Sequence, residues 1–427
     1  MPNVIPVPPL GRISEYAVPD KHSCLSGDLV VVEGPKGLAG VSLSQRALIW
    51  HYPYDPEPDV DAPDGQICAR RSIDSPQWIS ADQRVVVTLI ADRQIPHLVA
   101  IDGRSGKPLW EIEVELPREM LRKEKGLHTG WGRFSCGLKF VSRDDLLALC
   151  CVRYMSECGL VDHVQEPGES TFLVRIDPAS GMLLWTSHLF GVRAGEGSIN
   201  FRGPFLRGDE VGDIDWSTGQ ARVVHTRPGV RAWPTAHHGG ILLASVDKGK
   251  ITVEHIDRNG DVGSSTPWKR AGVKSLNWWP GSPMPVLQIN NQGVVFVADD
   301  LSPRWEAKAK PWIYGASTGV GTPVVVATNG AGGHLLAFDR ETGAECMRFT
   351  PAEGGVRDLV RLDGEDLYIC TGDRELLCTD GHQVESVKFG GKVDDWQLLG
   401  VFERQAVYVS VNGVVRVRLV SIPATPQ

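Results

Sequence analysis

A handful of residues in this 427-residue chain have the types and spacing that chemistry needs. Cys150 and Cys151 are adjacent thiols inside LLALCCVRYM. Neighbours on a strand point to opposite faces, so a disulfide between them would distort the strand. Asp59, Asp61 and Asp64 precede Gly65 in DVDAPDG. This is the alternation of a calcium loop, but the spacing is off by one, and Arg70 stands where such a loop puts its last Glu. The segment reads as a solvated acidic loop able to attract a basic partner. His237 and His238, with His225 and His255, lack the Cys, Asp or Glu that would complete a known metal spacing. Asp162, His163, Glu166 and Glu169 share one segment and have the types for proton transfer, which needs a geometry that spacing alone does not supply. No nucleophile elbow, phosphate-binding loop or zincin helix is present.

These residues have to be positioned by something, and the chain repeats the same unit to do it. Leu98–Glu111 reads LVAIDGRSGKPLWE, and the pattern returns as Phe172–Thr186 (FLVRIDPASGMLLWT), His334–Phe349 (HLLAFDRETGAECMRF) and, shortened, Val211–Val224 (VGDIDWSTGQARVV). Alternating apolar residues predict a strand with a buried face. The closing Asp can accept from backbone N–H groups just ahead of it, and Gly106, Gly181, Gly219 and Gly343 supply the positive φ of a tight reversal. A second strand follows, carrying Trp110 or Trp185. One hairpin cannot bury its own apolar faces, so copies must share a core. Radially repeated four-stranded sheets meet that need: an all-β fold, a single β-propeller over residues 1–427.

These units resemble the repeats of the pyrroloquinoline-quinone-type propellers, whose blades carry a Leu–x–Ala–x–Asp, Thr/Ser–Gly, Trp pattern. The resemblance implies an eight-bladed ring, although a literal count of units gives nine. It also implies that an N-terminal strand completes the last blade, and Arg12–Val18 is the segment that fits, beside Trp396–Val420. In some members of the family an adjacent-cysteine disulfide lies over the quinone, and a Glu/Asn/Asp set holds calcium. No such set is found here, so no cofactor is expected, with pyrroloquinoline quinone and Ca²⁺ as the alternative.

Expected blades are Cys24–Tyr52, Gln77–Val114, Arg133–His188, Ser198–Thr226, Trp233–Ser264, Asn277–Ala309, Ile313–Phe349 and Val356–Phe389, followed by the closing one. Turns between the third and fourth strands are tight. The long connections, 51–76, 116–132, 155–170 and 189–197, all leave the other face and fall on blades one to four; long loops on a rigid scaffold usually carry function. Leu116–Lys125 has the composition of a short helix. Trp78, Trp131, Trp233, Trp278, Trp279, Trp312 and Trp396 fall near the start of a first strand. There they either ring the channel mouth as a flat pocket or wedge between blades as core. Trp50, Trp110, Trp185 and Trp305 lie on fourth strands and read as structural.

The net charge is −8 with no basic run, so no nucleic-acid footprint is visible. No stretch of about 18 apolar residues is present to span a membrane. The Pro-broken N-terminus lacks the shape of a secretory signal. Nine Cys without scaffold spacing fit a reduced, cytoplasmic protein. The reading is therefore a non-catalytic scaffold with a protein partner on the loop-rich face. Its expected contacts are Trp78, Trp131, Trp233, Trp279, Trp312, Asp59, Asp61, Asp64, Asp162 and His163. The alternative is an enzyme with a small-molecule pocket at the channel mouth, a quinone-type oxidoreductase or a propeller lyase or hydrolase.

Overall fold

The computed structural model describes residues 4–7, 23–34, 37–53, 77–92, 95–115, 136–143, 146–153, 170–190, 205–207, 209–237, 239–257, 259–264, 266–278, 286–290, 293–307, 316–317, 324–327, 334–339, 341–350, 357–361, 368–371, 375–380, 382–388, 396–410 and 416–422. Every regular element among them is a β-strand.

The chain opens with β1 (Val4–Pro6). The first sheet is β2 (Ser23–Ser26), β3 (Leu29–Gly34), β4 (Gly37–Ser42) and β5 (Ala47–Pro53). The second is β6 (Gln77–Ile79), β7 (Val85–Asp92), β8 (Ile95–Asp102) and β9 (Pro108–Glu113). The third is β10 (Cys136–Arg143), β11 (Leu146–Arg153), β12 (Ser170–Ile176) and β13 (Leu183–Phe190). The fourth has three strands, β14 (Phe205–Arg207), β15 (Glu210–Ile214) and β16 (Ala221–Thr226). The fifth is β17 (Val230–His237), β18 (Gly240–Asp247), β19 (Lys250–Ile256) and β20 (Val262–Ser264), with β21 (Trp268–Lys269) also pairing β19. The sixth is β22 (Leu276–Trp278), β23 (Val286–Ile289), β24 (Gly293–Val297) and β25 (Pro303–Ala307). The seventh is β26 (Ala316–Ser317), β27 (Val324–Ala327), β28 (Leu335–Phe338) and β29 (Glu345–Phe349). The eighth is β30 (Arg357–Arg361), β31 (Tyr368–Thr371), β32 (Glu375–Thr379) and β33 (Val384–Lys388). The ninth is β34 (Trp396–Phe402), β35 (Gln405–Ser410) and β36 (Arg416–Ser421), and β1 adds to it beside β36.

The described residues thus form nine sheets, as in the literal count of units, where eight were expected. The fourth has three strands, and its β14 spans three residues. The closing strand is also corrected. The place beside β36 is taken by Val4–Pro6, with Val4 opposite Arg418 and Pro6 opposite Arg416. Its apolar residues explain the choice: Ile5 and Val7 are buried with Val417 and Leu419. Residues 12–18 lie outside the described residues, as do 116–125.

The chain falls into two compact units. One comprises Met1–Phe201, Ile214–Ala221 and Asp395–Val420; the other comprises Arg202–Asp213, Arg222–Asp394 and Ser421–Gln427. Within the first unit, strand β3 shows how the sheets share their core. Side chains alternate across a strand, so Leu29 and Val31 pack with Val86, Val99 and Ile101 of the second sheet. Val30 and Val32 pack with Val407, Val409 and Val417 of the ninth. Leu98 and Ala100 pack in turn with Phe172, Val174 and Ile176 of the third sheet. The first strands β34, β2, β6 and β10 lie side by side in that order. The second unit uses the same alternation. Ile241 and Leu243 meet Leu206 and Val211 of the fourth sheet, while Leu242 and Ala244 meet Leu276, Leu287 and Val295 of the sixth. A strand buried on both faces needs the continuous apolar runs seen here, in place of a strict polar–apolar alternation.

The turns of the repeat behave as their composition predicts. Asp102 accepts at Oδ1 from the N–H of Ser105 (2.7 Å), the N–H of Arg104 (3.1 Å) and the Ser105 hydroxyl (2.7 Å). The N–H of Gly106 donates to the Asp102 carbonyl at 2.8 Å, at a φ of +69°. Asp177, Asp215 and Asp339 repeat the arrangement with Ser180, Ser217 and Thr342. Each such turn then receives a tryptophan from the preceding sheet. The indole N–H of Trp50 donates to the Gly103 carbonyl (2.7 Å), that of Trp110 to Pro178 (3.0 Å) and that of Trp185 to Trp216 (3.1 Å). The rings lie over Gly106, Gly181 and Gly219, where a Cβ would come within 2.6–2.7 Å of ring or Cβ carbons. Trp305 covers Gly343 in the same way.

Candidate functional site

The first strands were expected to carry the ligand-facing tryptophans. Trp78 is on β6, half-buried, and packs against the core shared by the second and third sheets. Trp396 begins β34, also half-buried, with the Arg418 guanidinium 5.9 Å from its ring centroid, a cation–π distance. Trp278 is only 7% exposed and belongs to the core between the fifth and sixth sheets, so it serves packing. Trp233 sits on β17, and its ring is outside the described side chains. Trp131, Trp279, Trp312, Asp59, Asp61, Asp64, Asp162 and His163 lie outside the described residues, as do Glu166 and Glu169.

Cys150 and Cys151 are successive residues of β11. Cys150 stands opposite Lys139 and Leu173, and Cys151 opposite Leu138 and Phe172, in unbroken register. His225, His237 and His255 fall on β16, β17 and β19. Among the described residues, no group of three or more His, Cys, Asp or Glu is placed to hold a metal ion.

Strand order places the long connections. In a four-stranded antiparallel meander, the second-to-third connection and the exit from the fourth strand leave one end; the other two turns leave the opposite end. Residues 54–76 follow β5, 114–135 follow β9, 154–169 join β11 to β12, and 191–204 follow β13. Each emerges from that same end of its sheet. The expected insertions begin and end slightly differently, because His51–Pro53 continue β5 and Ser170 opens β12.

Ser105 and Ser180 hydroxyls hold the Asp102 and Asp177 carboxyls below the usual carboxylate range; Ser217 and Thr342 do the same for Asp215 and Asp339. These aspartates are turn-builders: Asp102, Asp215 and Asp339 each accept at Oδ1 from a backbone N–H and a hydroxyl of their own turn.

Two further polar groupings were not read from the sequence. Glu254 on β19 is buried, with its Oε2 2.9 Å from Nε of Arg227. The apolar spacing of ITVEHI does signal its inward face, but not its partner 27 residues away in the chain. His97 on β8 lies between two exposed carboxylates of β9, with Nδ1 3.3 Å from Glu111 and Nε2 3.7 Å from Glu113.

No protein-family model matches the chain, and no curated protein does. Among solved structures it is similar to BamB from Moraxella catarrhalis, at 14% identity over 95% of this chain and 96% of that one, with a TM-score of 0.39. It is similar to Saccharomyces cerevisiae Sqt1 at 11% identity over 99% and 100%, with a TM-score of 0.45. It is similar to the quinohemoprotein alcohol dehydrogenase from Comamonas testosteroni at 11% identity over 98% and 79%, with a TM-score of 0.40.

Proposed function

We propose that the chain is a β-propeller acting as a non-catalytic scaffold that binds another protein through the end bearing its long connections. The observation that carries this reading is the one-sidedness of the sheets. What supports it is strand order: segments 54–76, 114–135, 154–169 and 191–204 each follow the second or the fourth strand of their own sheet, while the repeat turns, after the third strands, build their carboxyls into local hydrogen bonds. Long connections on a scaffold of sheets are where recognition usually sits. The contacts assigned to that end are the acidic residues Asp59, Asp61, Asp64 and Asp162 with His163, beside Trp78, Trp131, Trp233, Trp279 and Trp312 at the first strands.

The test replaces residues 54–76 and, separately, 154–169 with Gly/Ser segments in the full chain, leaving β5 and β12 whole. Partner capture should be lost while the melting temperature holds. Full capture by both variants would overturn the reading. A melting shift of several degrees with pyrroloquinoline quinone and Ca²⁺ would favour the oxidoreductase instead.

A further inference from the structure

We propose that Asn259 is a site of spontaneous deamidation, and that the product frees β20 from its sheet. Asn259 and Gly260 lie in the turn between β19 and β20. Asparagine is a thermolabile residue, and its reaction asks for a following glycine, room around that glycine's nitrogen and a carboxamide free to turn. The hairpin supplies all of them. Gly260 follows Asn259, both are exposed, and nothing lies within 4 Å of the position a Cβ would take at Gly260. Among the described residues, the Asn259 carboxamide makes one long bond, from Nδ2 to Oδ2 of Asp257 at 3.4 Å. The N–H of Gly260 donates to the Asp257 carbonyl at 3.1 Å, a bond at an exposed hairpin tip, where local opening is cheapest. Asn290 shows the contrary case. Its Oδ1 accepts from the N–H groups of Lys274 (2.6 Å) and Ser275 (3.0 Å), its Nδ2 donates to the Gly272 carbonyl (2.7 Å), and Asn291 follows it. That carboxamide is built into the fold and is held away from the next nitrogen.

The Gly260 nitrogen attacks Cγ of Asn259. An N–Cγ bond forms and closes a succinimide, the Cγ–Nδ2 bond breaks, and Nδ2 leaves as ammonia with the Gly260 proton. Water then opens the ring. Attack at Cγ gives aspartate; attack at the main-chain carbonyl gives isoaspartate, with the chain rerouted through Cβ and Cγ. Water is the one co-reactant, and nothing is oxidised or reduced. Either product places a carboxylate between Asp257 and Asp261, and isoaspartate also adds an atom to the main chain. That turn sets the pairing of the strands it joins. The Asp257 N–H donates to the Asp261 carbonyl at 3.0 Å, and Ile256 then faces Val262 and Glu254 faces Ser264. All of β20 is exposed, so it has no buried side chain to hold it once the turn changes length.

The test ages the full chain in warm, mildly alkaline buffer and maps its peptides by mass spectrometry. The peptide carrying residue 259 should pass from amide to acid, with isoaspartate the larger product, while the Asn290 peptide keeps its amide. Asn329–Gly330 and Asn412–Gly413 are read in peptides of their own. Gly260→Ala should slow the conversion severalfold in a folded chain, and Asn259→Gln should abolish it. Amide hydrogen exchange at 262–264 should be faster in the aged protein than in the fresh one. Asn259→Asp, which carries the charge without the added atom, should exchange as the fresh protein does. An amide that survives ageing at 259, or an equal conversion at Asn290, would overturn the site. Unchanged exchange in the isoaspartyl protein, or equally fast exchange in Asn259→Asp, would overturn the release of β20 by the lengthened turn.

Discussion

At the scale of single residues, the repeat rests on a glycine that two demands converge upon. Gly181 has φ +74°, and a Cβ there would stand 2.7 Å from Cδ2 of Trp110. Gly181→Ala therefore combines a disfavoured backbone with a displaced indole and should cost about 1–3 kcal/mol, measured as a lower urea midpoint at unchanged slope. Gly260 has φ +88° but nothing within 4 Å of its Cβ position, so Gly260→Ala should cost less, about 1 kcal/mol from the backbone alone. A cost for Gly260→Ala equal to that of Gly181→Ala would remove the ring from the explanation. The turn aspartates make a separate prediction. Ser105, Ser180, Ser217 and Thr342 hydroxyls lower the folded-state values of Asp102, Asp177, Asp215 and Asp339. A lowered folded value contributes stability that is full above the ordinary carboxylate pKa of about 3.9 and is lost as pH falls through the folded value. Stability should drop below about pH 4, and the double variant Asp102→Asn, Asp177→Asn should show a shallower acid limb in urea midpoints taken against pH. An acid limb identical to the parent's would mean these turns are not the titrating groups.

At the scale of elements, the hairpins were legible because period-two patterning and the Asp–Ser/Thr–Gly turn are local signals. LVAID, FLVRID and LLAFD all lie on the strands their alternation predicts, and the tight turns follow. The closing strand was not legible in the same way. Arg12–Val18 and Val4–Pro6 are both short and near the terminus, and a strand without a hairpin partner has no turn to fix its place. What decides is burial: Ile5 is 3% exposed and Val7 5% exposed against Val417 and Leu419. Fully burying two such side chains contributes about 3–6 kcal/mol. Removal of residues 1–7 should therefore lower the melting temperature by several degrees, and Ile5→Ala alone should cost about 2–4 kcal/mol. A seven-residue truncation that melts like the parent would show that β1 does not hold the ninth sheet. The candidate site was less legible still. Buried Trp278 and half-buried Trp78 and Trp396 occupy similar positions in sequence, and only the packing of the neighbouring sheet separates the buried ring from the half-buried ones.

At the scale of the whole molecule, sheets that touch only their neighbours give a stability that sums over junctions. Of the segments of the two compact units, Ile214–Ala221 goes with the first, and Arg202–Asp213 and Arg222–Asp394 go with the second. Nothing in the repeat marks that division, because VGDIDWSTGQARVV carries the same turn as its relatives. The Ile214–Ala221 turn goes with the first unit, where Trp185 donates to Trp216 and covers Gly219. Three successive clamps, made by Trp50, Trp110 and Trp185, therefore tie the sheets of that unit in series. Trp50 grips the turn at 103–106, and Trp110 leaves the same hairpin to grip the next turn, so these two share one element. Trp185 shares none with Trp50. Each Trp→Phe change removes one N–H···O=C bond and should cost about 1–3 kcal/mol. The pair Trp50→Phe, Trp185→Phe should then add within about 0.5 kcal/mol, whereas Trp50→Phe, Trp110→Phe should depart from additivity by more than that. Denaturant double-mutant cycles measure both. Strong coupling in the distant pair would mean that strain travels across a whole sheet, and that the junctions do not act as independent contacts.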